Sequence, residues 1–135
     1  MTEKASLGAR GESYAVKYLR KAGYAVIARN WRNGRDELDI VASNGDMLVF
    51  IEVKTRTVVG GTVDDTGRGY YSVDLRKKRA LQRACRAYMS GLRYPPAHFR
   101  FDIIEVKIHK NASYELQHHQ GVPLFTKQFR PCSHA

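Results

Sequence analysis

The sequence predicts an α/β domain, a mixed β-sheet with helices on both faces. Three observations predict it. Residues 37–56, ELDIVASNGDMLVFIEVKTR, set two apolar runs around Asn44-Gly45, the dipeptide most strongly tied to a tight hairpin turn. A strand–helix–strand passage runs from 47–54 through 73–90 to 99–108, which makes a right-handed crossover and a parallel pair. Both faces of the hairpin carry apolar residues, so both need cover.

The elements follow in order. Residues 4–22 read as a helix, because Leu7, Arg10 or Gly11, Tyr14, Ala15, Tyr18, Leu19 and Ala22 recur at steps of three and four. Gly23 is placed to end it. YAVIARN, 24–30, is a short apolar strand, and WRNGRD, 31–36, a turn. The hairpin then gives strands at 37–42 and 47–54. With Asn44 and Gly45 as the turn residues, Val41 faces Leu48, Asp39 faces Phe50 and Glu37 faces Glu52. One face then reads Leu38, Ile40, Ala42, Met47, Val49, Ile51 and Val53, and the other carries Glu37, Asp39, Glu52 and Lys54.

Residues 57–72, TVVGGTVDDTGRGYYS, hold four glycines that argue against regular structure, and a loop of this length is usually functional or mobile. Tyr70 and Tyr71 are candidates for stacking on bases or for packing under the next helix. Residues 73–90 form that helix. Ser72 suits the N-cap, and Leu81, Ala84, Cys85, Tyr88 and Leu92 mark its inward side. GLRYPPAH, 91–98, is a loop, FRFDIIEVKI, 99–108, a strong strand, and YELQHH, 114–119, a weaker one. One domain over 1–125 is expected, with 126–135 as a loose tail.

Composition narrows the function. Hydrophobic residues make up 43%, too many for a disordered chain. Net charge is +10 and pI about 9.9, which suggests a polyanionic partner, nucleic acid first. Cys85 and Cys132 form no CxxC, and no histidine pair has zinc spacing. MTEKASLGARGES contains no apolar signal core and no run approaches membrane-spanning length, so a cytoplasmic protein without a membrane partner is expected.

The hairpin acids carry the chemistry. Asp39 and Glu52 are expected as diagonal neighbours, roughly 7–8 Å apart at the backbone, near enough to share one ion. Three acids on one strand face repel unless Lys54 or a cation offsets them. Mg²⁺ takes oxygen ligands and keeps waters, so it suits such a pair. The plainer alternative is a solvated face with a Glu52–Lys54 surface pair. Val41, Leu48 and Phe50 on the same face argue for cover, and buried carboxylates need a partner. From periodicity alone, Glu12 reads as an exposed acid paired with Lys17 or Arg10. Arg76, Arg79, Arg83 and Arg86 recur at helical steps as a basic stripe for phosphate contact. From 66 to 100 nine Lys/Arg stand against one acid, Asp74, and Lys77 falls on the inward side.

GARGESYAVKYLRKAGYAVIARNWR, ELDIV, LVFIEVKTR, VDLRKKRAL and FRFDII, in this order over residues 8–106, resemble the YraN-like family of small bacterial proteins. That family is similar to the restriction-endonuclease-like, or PD-(D/E)xK, nucleases, and among them the archaeal Holliday-junction resolvases. The resemblance implies a restriction-endonuclease-like mixed sheet flanked by helices and a metal site. It places the superfamily's helical Glu on Glu12, its Asp on Asp39, and its ExK on Glu52 and Lys54. Lys77 matches a family lysine and Glu37 the acid of a GEID motif, where Asp36 replaces the usual glycine.

The expected activity is therefore Mg²⁺- or Mn²⁺-dependent cleavage of DNA phosphodiesters, with branched or repair intermediates as candidate substrates. Asp39, Glu52 and the Val53 carbonyl would hold the ion, Glu12 would complete the site, and Lys54 would act on water or phosphate. Arg56, Lys77 and the α-helical stripe would grip the backbone. A symmetric junction would call for a homodimer. Two alternatives stand beside this: a non-catalytic nucleic-acid-binding protein that keeps the fold, and a structural partner of an acidic protein.

Overall fold

The computed structural model describes residues 3–60, 62–64 and 75–125. Two helices and six strands follow in the order α1 (Glu3–Lys21), β1 (Ala25–Asn33), β2 (Asp36–Asn44), β3 (Met47–Val59), β4 (Thr62–Asp64), α2 (Leu75–Ser90), β5 (His98–His109) and β6 (Tyr114–His119). The sheet order is β1-β2-β3-β5-β6, with β4 pairing β3 off that path. β3 and β5 run parallel from Met47↔His98 to Val58↔His109; the other pairs are antiparallel. The expected mixed sheet with a helix on each face is the one found.

Two apolar layers hold it. On one face Ala15, Val16 and Leu19 of α1 bury against Ile40, Ala42, Val49, Ile51, Ile104, Val106 and Ile108. On the other, Leu81, Ala84, Cys85 and Met89 of α2 bury against Leu38, Val41, Leu48, Phe50, Phe101 and Ile103. The apolar spacing of both helices thus acts through packing, which contributes about 1.5–3 kcal/mol per large buried side chain.

Four expectations are corrected. Asn44 pairs with Met47, so the turn residues are Gly45 and Asp46 and Val41 faces Phe50, not Leu48. Gly45 has φ 63 while Asp46 does not appear at positive φ, the pattern of a turn needing glycine at its first loop position alone. The shift preserves which side chains share a face but moves Asp39 from diagonal to opposite Glu52, one step past Ile40↔Ile51. Leu38 packs with Val41 rather than Ile40, because strict alternation breaks at Asp39. The facing residue, Asn30, has φ 50, and the β1–β2 ladder passes from Arg29↔Ile40 to Trp31↔Leu38 without pairing it. β1 and β2 continue through the expected turn at 31–36, which tightens to Gly34-Arg35 between Asn33 and Asp36. Finally, β3 runs five residues past Lys54, and β4 lies inside the stretch expected to be irregular. The β-branched run Thr57-Val58-Val59 outweighs the glycines beyond it. Tyr70, Tyr71, Ser72, Asp74, Cys132, His134 and the 126–135 tail lie outside the described residues.

These pairings leave a parting along one edge of β3. β2 accompanies it to Ile51 and β4 joins at Thr57, so residues 52–56 have no neighbour on that edge among the described residues. β5 backs them on the other. α1 lies close over this place: a Cβ on Gly11 would collide with the Thr55 side chain, so glycine lets the helix approach and sets Glu12 beside the parting.

A buried polar network fixes α1 further. Asp102, fully buried, accepts both nitrogens of the Arg100 fork at 2.8 Å and the Gly121 N–H at 3.0 Å, and lies 2.7 Å from His118 Nε2. His118 Nδ1 meets the Tyr18 hydroxyl at 2.9 Å, and Arg100 also donates to the Tyr24 hydroxyl at 2.8 Å. Burial alone would raise the Asp102 carboxyl, but His118 and Arg100 hold it below the usual range. Asp102→Asn should therefore cost about 3–5 kcal/mol, since it strands Arg100 beside a neutral partner. A lower urea midpoint at unchanged m is expected; an unchanged midpoint would remove the network's structural role.

Candidate functional site

The site forms where β2 leaves β3. The Val53 N–H donates to Asp39 Oδ2 at 2.9 Å, so a side chain takes the place of a ladder carbonyl. A strand residue presents its N–H and C=O to the same neighbour, so the Val53 carbonyl also faces this parting. Asp39 and Glu52 stand opposite each other, one step past Ile40↔Ile51. Burial, then the Asp39 charge, push Glu52 up to about 7. Burial also raises Asp39, against the pull of the Val53 N–H.

Glu12 comes from α1. Burial and then Asp39 push it up to about 7, while Arg29 opposes them. The periodicity reading of Glu12 as a surface acid paired with Lys17 or Arg10 is replaced by this position among acids. Asn30, with its amide nitrogen turned toward the carboxylates, donates to Glu12 at 3.1 and 3.2 Å and to Glu37 at 3.1 Å. Glu37 also lies 3.7 Å from Arg32. Sequence reasoning missed Asn30. Its signal was its residue type, since asparagine tolerates left-handed backbone far better than most residues.

Cations close the site from the α2 side. Lys77 Nζ lies 3.4 Å from Glu52 Oε1, so α2 supplies the charge nearest the pair. Lys54, two residues beyond Glu52, is lowered by burial first and then by Arg56, while Glu52 and Glu105 oppose the shift. Glu105 is its partner across the parallel ladder and is buried, a neighbour the sequence reading did not find.

The basic stripe divides. Arg76 and Arg79 are exposed. Arg83 grips Asp36 with two bonds of 3.0 Å, and Arg86 sits 5.5 Å over the Phe125 ring. Asp36, the departure from the GEID pattern, thus ties the β1–β2 turn to α2.

Among the described residues no group of three or more His, Cys, Asp or Glu is placed to cage an ion. The fit of a metal therefore rests on two carboxylates and a backbone carbonyl. Mg²⁺ and Mn²⁺ suit that donor set, because they accept hard oxygen ligands and complete their shells with water or phosphate.

A pH dependence follows. Glu12 and Glu52 titrate near 7 when folded and near 4.5 when unfolded, so between these values the folded chain binds more protons. Metal-free stability should fall as pH rises through that window. Glu52→Gln should flatten the fall in urea midpoint between about pH 4.5 and pH 7; an identical slope would mean Glu52 ionises normally.

Comparison with known sequences agrees with the YraN-like family resemblance noted above. The family described as "Uncharacterised protein family UPF0102" matches residues 11–106, which include Glu12, Asp39, Glu52, Lys54 and Lys77. A UPF0102 protein of Chlorobaculum parvum is 46% identical over 100 residues, 74% of each chain. One from Parafrankia sp. is 38% identical over 115 residues, covering 85% of this chain and 93% of the relative. One from Clostridium acetobutylicum is 39% identical over 111 residues, covering 82% and 87%. The chain belongs to the UPF0102, or YraN-like, family.

Proposed function

We propose that this protein is a Mg²⁺- or Mn²⁺-dependent endonuclease acting on DNA, with branched or repair intermediates as the substrate class. The observation that carries the reading is the pair Asp39–Glu52, raised by burial and set beside Lys54 at the parting of β2 from β3. Asp39, Glu52 and the Val53 carbonyl would hold the ion. When bound, such an ion offers Lewis-acid assistance to a phosphodiester and a lowered pKa for water. Val53 N–H orients Asp39, and Asn30 orients Glu12 toward the same place. Lys54, an ammonium with donors and no lone pair, would donate to the phosphate or to the attacking water. Arg56, Arg76 and Arg79 would meet the nucleic-acid backbone, in keeping with the +10 charge.

A second reading has its own observation. Lys77 at 3.4 Å already offsets Glu52 without an ion, as a non-catalytic nucleic-acid-binding protein would need. No helix among the described residues is long and apolar enough to cross a membrane. A cytoplasmic location and a homodimer on symmetric junctions belong to the proposal.

The test is a cleavage panel of branched, duplex and single-stranded DNA with Mg²⁺, Mn²⁺ or EDTA. Asp39→Ala should abolish Mn²⁺ binding by calorimetry and cleavage together. Lys54→Met should fold and bind both Mn²⁺ and DNA, yet cleave at least about a hundredfold more slowly, the scale of one lost transition-state donor. Parent protein that binds DNA but cuts nothing, indifferent to EDTA, would establish the binding reading instead.

A further inference from the structure

A groove of about 550 Å³ opens between the β1–β2 turn and the first turns of α2. That volume falls within the usual range for ligand sites, about 300–1,000 Å³. Among the described residues four guanidiniums line it, from Arg35, Arg76, Arg79 and Arg83, against one carboxylate, that of Asp36. Arg83 and Asp36 satisfy each other through the two 3.0 Å bonds. Arg35, Arg76 and Arg79 make no ion pair among the described residues, so three positive charges face one opening.

Two features distinguish this from an ordinary solvated charge run. Its arginines come from separate elements, Arg35 from the hairpin turn and the others from α2. Those two elements are clamped by the Asp36–Arg83 fork, which fixes the spacing before any ligand arrives. Leu75, 62% exposed, adds an apolar wall to the same groove. Guanidinium forks match phosphate oxygens, and an apolar wall beside them suits a sugar or base. Lys77, next to Arg76 in the chain, reaches Glu52. One turn of α2 therefore links the groove to the acid pair.

We propose that this groove is a phosphate subsite that seats one nucleotide of a bound DNA strand, apart from the Asp39–Glu52 pair, with Arg35, Arg76 and Arg79 as its ligands. The inference rests on the nucleic-acid reading above and assigns Arg35, which neither the sequence nor the acid site singled out. Three guanidiniums match either a terminal phosphomonoester, of about −1.5 to −2 charge, or two neighbouring backbone diesters. Seating a strand here would hold it at a fixed offset from the acid pair.

The experiment is a salt titration of fluorescent duplex DNA, with and without a 5′-phosphate, against the parent and Arg35→Gln/Arg79→Gln. Both side chains are exposed, and a thermal melt confirms that the variant folds. Each phosphate contact contributes about 0.9 to the log–log salt slope on duplex DNA, so the variant's slope should flatten by about 2. Flattening on both duplexes assigns backbone diesters. Flattening confined to the phosphorylated duplex assigns the terminal phosphate. Equal slopes and affinities for variant and parent overturn the groove and leave the nuclease reading untouched. A parent that binds no DNA overturns both. A parent that binds without cutting, with the variant flattened, upholds the groove and sinks the nuclease reading.

Discussion

One hydrogen bond organises the site: the Val53 N–H bonded to the Asp39 carboxylate. Within a sheet that donor would meet a carbonyl of the neighbouring strand, and buried N–H groups do not go unmatched. Because a side chain takes it, β2 can turn away after Ile51 without stranding the donor. Among the described residues β4 takes up the edge at Thr57. The cost falls on Asp39, a carboxylate drawn out of water and set opposite a second one. Asn30 makes the departure feasible from the other side. Its left-handed backbone lets β1 follow the bend in β2, and its amide then serves the acids the bend exposes. Backbone irregularity and polar chemistry therefore arise from the same pair of facing residues.

The rest of the fold sustains this unfavourable electrostatic arrangement. Glu12, Asp39 and Glu52 are each raised chiefly by burial, a state that persists only if the surrounding packing resists relaxation. Two apolar layers provide that resistance, one beneath each helix. Burial pushes two of the three, Glu12 and Glu52, up to about 7. Protons and Lys77 are two sources of compensation, and the proposed divalent ion would be a third. An ion binding there must displace protons, so its affinity should rise with pH over the range in which stability falls.

The sheet was legible because the apolar sets of 37–56 and 99–108 admit few arrangements. A one-residue register slip would turn Ile40, Val49 and Ile51 to the wrong side. The actual offset between sequence reading and structure keeps every hairpin face except at Leu38. Turn type was less legible: Asn44-Gly45 is compatible with the turn beginning at either residue, and φ decides only in the folded chain. β4 was hidden by the glycines around it. Asp39, Glu52 and Lys54 could be picked from their spacing, but Asn30, Glu105 and the Asp36–Arg83 fork could not. Each depends on contacts between elements remote in sequence. The Asp102 network was invisible for the same reason, since Tyr18, Tyr24, Arg100 and His118 meet only after α1 docks on the sheet.

Helix α2 is where these strands of argument meet. Its inner side is apolar and closed, and includes Cys85, whose thiol burial pushes well above its usual value. Its outer residues do two different things. Lys77 reaches Glu52 in the acid pair, while Arg83 grips Asp36 at the β1–β2 turn. The helix is therefore tied to Asp36 of β2 and to Glu52 of β3, and seated on the sheet between them. A displacement of α2 large enough to withdraw Lys77 would also strain the Asp36 fork and open the Leu81–Phe50 layer. Such a displacement is costly in a close-packed interior. Lys77 can leave Glu52 cheaply only by rotating its own flexible stem, with its side chain already 51% exposed. On the proposed reading, replacing the lysine by a metal or a phosphate would thus be a side-chain event on a rigid frame, and the groove beside Arg76 would keep its place.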